Sequence, residues 1–83
     1  MNKNAMIAEV IEIVRGVNAD QPAPVGPQTR ILSELDLDSL KMIELMDVLK
    51  ARYGVDFSAA PQSLDDLRSP ETIAAALIRA RDG

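Results

Sequence analysis

Four helix-breaking residues in the first half of the chain limit the folds it can adopt. They lie between residues 18 and 38, and they are Pro22, Pro24, Gly26 and Pro27. Proline lacks a backbone N–H and its ring clashes with the preceding turn, so no helix can run through this stretch. Apolar residues at helical spacing occur on both sides of it. We therefore expect a helical chain with one long ordered loop at residues 18–38.

The segment before this loop predicts a helix over about residues 5–17. Asn4 is the expected N-cap, because an asparagine side chain accepts hydrogen bonds from first-turn amides. Gly16 or Asn18 is the expected stop. The apolar residues follow the spacing of a helix with one buried stripe, and they are Met6, Ile7, Val10, Ile11, Val14 and Val17.

The segment after the loop predicts a second helix over residues 39–53. Asp38 is its expected N-cap and Gly54 its expected C-cap. Asp38 would also complement the positive end of the helix dipole. The expected inner stripe is Leu40, Ile43, Leu45 or Met46, and Leu49, with Tyr53 closing it.

The last third of the chain predicts a short helix over residues 61–67 and a final helix over residues 70–81. The start of the final helix is marked by Ser69 as N-cap, Pro70 at the first helical position and Glu71 in the first turn. These elements predict an all-α fold, a small four-helix bundle with three longer helices and one short one. We expect one domain over residues 1–83.

The composition excludes several kinds of chemistry. The chain has no histidine and no cysteine, so it cannot form disulfides or a Cys/His zinc site, and we expect no metal site. Its formal net charge of −4 disfavours nucleic acid, which is bound through Lys and Arg, and favours basic partner surfaces. No stretch is long and apolar enough for a membrane span or a signal peptide. We expect a cytoplasmic monomer with no membrane partner.

Ser39 is the residue of greatest chemical interest. A serine without an adjacent base is a weak nucleophile, so another protein would have to act on it. A phosphate ester at Ser39 would meet the positive end of the helix and its exposed amides. Leu35, Leu37 and Leu40 would hold this turn against the core. The alternative is that Asp38-Ser39 is only a helix start, in a helical adaptor that binds other proteins.

Residues 35–45 resemble the phosphopantetheine attachment site of acyl and peptidyl carrier proteins. They read Leu-Asp-Leu-Asp-Ser-Leu-Lys-Met-Ile-Glu-Leu. The family motif is approximately Leu-Gly-x-Asp-Ser-Leu, followed by an apolar residue and Glu-Leu. The order helix, long loop, helix, the Ser69-Pro70 start of the last helix and the chain length fit as well. The resemblance therefore covers roughly residues 5–81.

The resemblance implies a carrier protein, not an enzyme, with 4′-phosphopantetheine on Ser39. A phosphopantetheinyl transferase would install this group from coenzyme A with Mg²⁺, and the thiol of the arm would hold cargo as a thioester. The further partners would be an acyl- or aminoacyl-loading enzyme and downstream synthase or transferase enzymes. Met42 and Met46 would line the helix surface or an acyl cleft, or simply belong to the core. The implied docking residues are Asp38, Leu40, Lys41, Ile43, Glu44 and Asp47.

The chain departs from the family pattern in two places. Asp36 stands at the usual glycine, which would make the loop before Ser39 stiffer or more acidic. The second helix has a mixed charged face, where fatty-acid carriers are more uniformly acidic. A mixed face weakens docking to strongly basic partners, which favours a discrete carrier of a specialised pathway (polyketide, nonribosomal peptide or related) over housekeeping fatty-acid synthesis. The alternative is an ordinary solvated helix face. The charged residues of this face are Lys41, Glu44, Asp47, Lys50 and Arg52.

Overall fold

A computed structural model describes residues 2–20, 23–58 and 64–82, and the regular elements within these ranges are all helical. A 3-10 turn precedes the last helix, and the long loop contains one short helical turn. The all-α prediction is confirmed. The helices are α1 (Lys3–Val17), α2 (Ile31–Glu34), α3 (Ser39–Tyr53) and α4 (Pro70–Asp82), with the 3-10 turn at Leu64–Leu67.

The core lies between the three longer helices, where α1 packs chiefly on α4 and also on α3. Val10 and Val14 of α1 have no exposed surface, and neither do Leu45 and Leu49 of α3. Burial of such an aliphatic side chain contributes about 1.5–3 kcal/mol relative to leaving it in water. Within the described residues, none of the helices has the length and apolarity that crossing a bilayer requires.

The start of α1 lies two residues earlier than predicted. The N-cap is Asn2, whose side chain accepts a hydrogen bond from the Asn4 amide at 2.8 Å. Asparagine caps equally well at either position, so the pattern of caps could not choose between them. The other end agrees with the prediction, because Asn18 is the C-cap and its N–H donates to the Val14 carbonyl at 3.0 Å.

The predicted inner stripe of α3 was wrong in its first half. Leu40 and Ile43 are 77% and 51% exposed, whereas Met42 is buried together with Leu45 and Leu49. At 3.6 residues per turn, positions two and five residues before Leu45 point roughly to the opposite side of the helix. Leu40 therefore does not hold the turn around Ser39 against the core. The predicted caps are confirmed, with Asp38 at the start and Gly54, at φ 72°, at the end.

The long loop is joined to the start of α4 by two backbone hydrogen bonds. The Ile31 amide donates to the Arg68 carbonyl, and the Glu71 amide donates to the Pro27 carbonyl, each at 2.9 Å. Side chains of the loop also enter the core, where Leu35 and Leu37 are each 5% exposed. The segment before Ser39 is therefore held at several points, although it is mostly irregular.

Only part of the short helix predicted over residues 61–67 lies within the described residues. Its second half is the 3-10 turn at Leu64–Leu67, and residues 61–63 lie outside the described residues. The predicted start of α4 is confirmed. The Ser69 hydroxyl accepts the Thr72 amide at 3.3 Å, and the Ser69 amide donates to the Thr72 hydroxyl at 3.0 Å. Each residue thus satisfies a polar group of the other, as in a capping box.

Candidate functional site

Ser39 is the first residue of α3, and its side chain is exposed. The preceding residue, Asp38, has an extended backbone, and its carboxylate accepts the Lys41 amide at 2.9 Å. The Asp38 carbonyl accepts the Met42 amide at 3.0 Å. Asp38 therefore performs the capping, and within the described part of the chain the Ser39 hydroxyl has no hydrogen-bond partner.

The surroundings of Ser39 are suited to a phosphodiester. The first amides of a helix lack partners inside the helix and carry its positive dipole end. The Asp38 carboxylate accepts a hydrogen bond from the Lys41 amide. The amides of Ser39 and Leu40 are therefore available to a phosphate oxygen or to water. Because Ser39 and Leu40 are both exposed, a bulky group on the hydroxyl would extend into solvent without displacing the core.

Asp36 has a left-handed backbone, with φ 52°. This region disfavours most residues, but glycine, asparagine and aspartate adopt it at lower cost. The residues on both sides, Leu35 and Leu37, are buried. The unusual backbone at Asp36 thus lets two neighbouring leucines reach the core just before Ser39. This geometry explains why a glycine suits the position and how an aspartate can replace it.

Most of the predicted docking residues lie together on the open side of α3. Leu40, Ile43, Glu44 and Asp47 follow the spacing of one helix face and are all exposed. Asp38 is exposed at the start of the same helix. We name Leu40, Ile43, Glu44 and Asp47 the open face of α3. Their role in docking stays a prediction.

Lys41 differs from the other predicted docking residues. Its ammonium lies 2.8 Å from an Asp20 carboxylate oxygen and 3.2 Å from the Asn18 side-chain oxygen, and its side chain is only 18% exposed. The hydrogen bond from Lys41 holds the pKa of the Asp20 carboxyl below its ordinary value. No sequence signal pointed to a contact of Lys41 with Asn18 or Asp20, because both are distant from Lys41 along the chain.

A second lysine of the predicted mixed face also lies beside a carboxylate. The Lys50 ammonium is 3.5 Å from an Asp56 carboxylate oxygen. The pKa of Asp56 lies below its ordinary value, mainly because Ser58 donates hydrogen bonds to it and to a smaller extent because of Lys50. The positive charge of α3 is therefore partly neutralised within the chain, which the sequence pattern of the helix alone could not show.

The two methionines of α3 have different positions. Met42 is 9% exposed and belongs to the core, whereas Met46 is only partly buried and packs at the edge of the core. Met42 thus fits the ordinary core alternative. Within residues 2–20, 23–58 and 64–82, acidic side chains do not group in the threes that a metal site would need.

Comparison with known proteins finds a matching family model and several similar proteins. A family model described as phosphopantetheine attachment site matches residues 7–77. The acyl carrier protein of Thermobifida fusca is 31% identical over 67 residues, which cover 81% of this chain and 78% of that protein. No solved structure matches the chain significantly.

Further relatives are longer than this chain. The meromycolate extension acyl carrier proteins of Mycobacterium leprae and Mycolicibacterium smegmatis are each 39% identical to it over 51 residues, which is 61% of this chain. The match covers 42% of the first protein and 48% of the second. The chain therefore spans less than half the length of these relatives.

The family model covers most of the chain, which folds as a small helical bundle with an exposed serine at the start of α3. The family model and the relatives show that this chain belongs to the acyl carrier protein family. Proteins of this family are carriers that partner enzymes modify and use, and their prosthetic group is covalent 4′-phosphopantetheine. They work with phosphopantetheinyl transferases and synthase enzymes.

Proposed function

We propose that this chain carries acyl intermediates as thioesters on a 4′-phosphopantetheine arm attached to Ser39. The observation that carries this proposal is the exposed Ser39 hydroxyl, which is available because the Asp38 carboxylate caps the helix in its place. The Ser39 oxygen would form the bond to the phosphorus of coenzyme A that bears the pantetheine. The pyrophosphate bond breaks, the adenosine bisphosphate leaves, and the serine proton passes to a base of the transferase.

The chain's own contribution is to present the hydroxyl and to support the resulting phosphodiester. The exposed position of Ser39 admits a transferase active site, and the amides of the first turn favour a negative oxygen. A tethered cargo is held at a high effective concentration at each partner enzyme without new contacts. Since coenzyme A is the donor, we place this function in the cytoplasm.

We further propose that partner enzymes bind the open face of α3 together with Asp38. An exposed apolar pair, Leu40 and Ile43, lies between carboxylates in the sequence of this helix. Such a surface suits a partner with a shallow apolar pocket and basic residues at its rim. The neighbouring lysines weaken this complementarity less than the sequence indicated, because Lys41 and Lys50 lie beside carboxylates of this chain.

For the pathway, we propose a specialised acyl pathway. The mixed charge of α3 supports it, and so do relatives whose names refer to meromycolate extension. A housekeeping fatty-acid carrier is the second candidate. It is favoured by the partial neutralisation of Lys41 and Lys50 and by the relative named simply an acyl carrier protein. The rate at which a fatty-acid ketosynthase elongates the acylated chain separates the two, with a known fatty-acid carrier as the positive control.

Intact-protein mass spectrometry tests the attachment site. The wild-type chain is incubated with coenzyme A, Mg²⁺ and a broad-specificity phosphopantetheinyl transferase, and the product is mapped by peptide. One phosphopantetheinyl addition is expected on the peptide that contains Ser39. Ser39→Ala should receive none, and Ser69→Ala, the matched change at the start of α4, should be modified as the wild type is. An addition to Ser39→Ala, or none to a folded wild type, contradicts the proposal.

A further inference from the structure

The Lys41 side chain connects the first turn of α3 to the residues that follow α1. The backbone amide of Lys41 donates to the side chain of Asp38, the N-cap of α3, at 2.9 Å. Its ammonium donates to Asp20 at 2.8 Å and to Asn18 at 3.2 Å, just beyond α1. We call the contacts of the Lys41 ammonium with Asp20 and Asn18 the Lys41 clamp.

The clamp gathers several interactions that favour a cation at this point. Asp20 supplies a full negative charge at contact distance. Asn18 is the C-cap of α1, where the negative end of the helix dipole also attracts a positive group. A movement of the first turn of α3 away from α1 would separate all of these groups.

The same contacts make Lys41 a poor residue for binding a partner. The side chain is 18% exposed, whereas Leu40 and Ile43 beside it are 77% and 51% exposed. A partner that used the ammonium would first have to remove it from Asp20. A charge paired at contact distance also has little effect on a molecule that approaches from solution.

We propose that Lys41 is a positioning residue, which fixes the first turn of α3 and with it the Ser39 hydroxyl two residues earlier. This inference rests on the proposed function, in which that hydroxyl reacts. A nucleophile held less firmly reaches the reactive geometry less often, although the partner still binds. Loss of the clamp should therefore lower the kcat of phosphopantetheine transfer and leave the KM of the transferase for this chain unchanged.

Three variants and a matched control test the clamp with coenzyme A, Mg²⁺ and one transferase. Lys41→Met removes the ammonium, Asp20→Asn removes its charged partner, and the double variant removes both. Lys50→Met is the control, because Lys50 is a lysine of the same helix beside a carboxylate but far from Ser39 along α3. Circular dichroism and thermal unfolding establish that each variant is folded at the assay temperature.

The positioning role predicts equal effects at both ends of the clamp. Lys41→Met and Asp20→Asn should each lower kcat by about 3- to 10-fold, since small misplacements of a reacting group have effects of this order or larger. The double variant should be no slower than either single variant, because the two residues act through one contact. Lys41→Arg should recover most of the rate, and Lys50→Met should match the wild type.

Two results would overturn the inference. A higher KM for Lys41→Met, with Asp20→Asn unchanged, would show that Lys41 contacts the transferase directly. An unchanged kcat with a lowered midpoint of unfolding would leave the clamp with a purely structural role. A wild-type chain that receives no phosphopantetheine, or receives it elsewhere than Ser39, would instead contradict the proposed function.

Discussion

Ser39 and Ser69 stand at the starts of α3 and α4, and their hydroxyls have opposite surroundings. Ser69 is 6% exposed, and its hydroxyl accepts the Thr72 amide at 3.3 Å. Ser39 is exposed, and the first-turn amide of Lys41 donates to Asp38 instead. The same side chain at two helix starts is therefore a structural cap in one case and an available alcohol in the other.

The difference comes from a shift of one position. Ser69 is the N-cap and Pro70 follows it at the first helical position, whereas Ser39 is itself the first helical residue and follows the N-cap Asp38. An N-cap side chain turns back onto the amides of the helix, and the next residue has no such obligation. The order Asp-Ser thus assigns capping to the carboxylate and leaves the hydroxyl exposed.

The largest stability difference is expected between alanine substitutions at these two serines. Ser69→Ala should lower the free energy of unfolding by about 1–2 kcal/mol, because the buried hydroxyl that accepts the Thr72 amide is lost. Ser39→Ala should stay within about 0.5 kcal/mol of the wild type, as is usual for exposed positions. Urea unfolding followed by circular dichroism measures both. Equal losses would remove the distinction between the two helix starts.

Removing the cap of α3 should have the next largest effect. Asp38→Ala is expected to lower the free energy of unfolding by about 1 kcal/mol, because the Lys41 amide loses its acceptor. Asp38→Asn keeps a side-chain acceptor, so its free energy of unfolding should fall by only about 0.3 kcal/mol. The same urea titration compares them. A loss as large in Asp38→Asn would mean that the carboxylate charge, and not capping, stabilises α3.

A smaller effect is expected at Asp36, whose left-handed backbone has no counterpart in residues 64–69, the described residues just before α4. Asp36→Gly should change the free energy of unfolding by less than about 0.5 kcal/mol. Relief of the left-handed backbone is offset by the greater freedom of glycine in the unfolded chain. Asp36→Asn, which also tolerates this backbone, is the control. A loss of more than about 1 kcal/mol in Asp36→Gly would show that the carboxylate itself stabilises the loop.

The smallest effect on stability is expected from the titration of Tyr53 at the last turn of α3. Substitutions in the first turn of α3 should leave this titration unchanged. The Tyr53 hydroxyl donates to Glu9 at 2.9 Å, and burial, together with Glu9, raises the Tyr53 pKa from 10.0 to about 12. The stabilisation is fully present below pH 10.0 and is lost as the pH rises to about 12, because the folded state favours the neutral phenol. The effect should be modest, since Tyr53 is partly exposed.

The chain offers a clean measurement of this titration, because Tyr53 is its one tyrosine and it has no tryptophan. Phenolate absorbance should show the raised pKa in the wild type, in Ser39→Ala and in Asp38→Ala alike. Glu9→Gln should bring the pKa closer to 10.0, and Tyr53→Phe should remove this part of the pH dependence of unfolding. A shifted titration in Asp38→Ala would show that the first turn of α3 and its last turn are coupled.

The sequence predicted features that depend on neighbours along the chain. The Asp38 cap and the Ser69 start of α4 are local signals, and both are confirmed. The buried face of α3 is different, because Leu40, Ile43 and Met42 place apolar residues around much of its first turns. Periodicity alone could not decide which of them are buried, and packing against the rest of the bundle decided it.

In the candidate site, too, local features were predicted from the sequence and contacts between distant segments were not. Ser39 was identified from its local motif, and its exposure is found in the structure. The contact of Lys41 with Asp20 was not predicted, because it joins elements that are separated by the long loop. The left-handed backbone at Asp36 could have been inferred from the family glycine at that position, but an aspartate alone does not indicate it.

The backbone hydrogen bonds from Ile31 to Arg68 and from Glu71 to Pro27 also bear on when during synthesis the protein becomes competent. Both join an early part of the chain to a part that leaves the ribosome later, and forming such distant contacts costs loop-closure entropy. The loop that precedes Ser39 can therefore complete these two bonds only after the start of α4 has been synthesised. We expect a transferase that needs an ordered helix start to pass over nascent chains, so that arm attachment marks molecules that have finished folding.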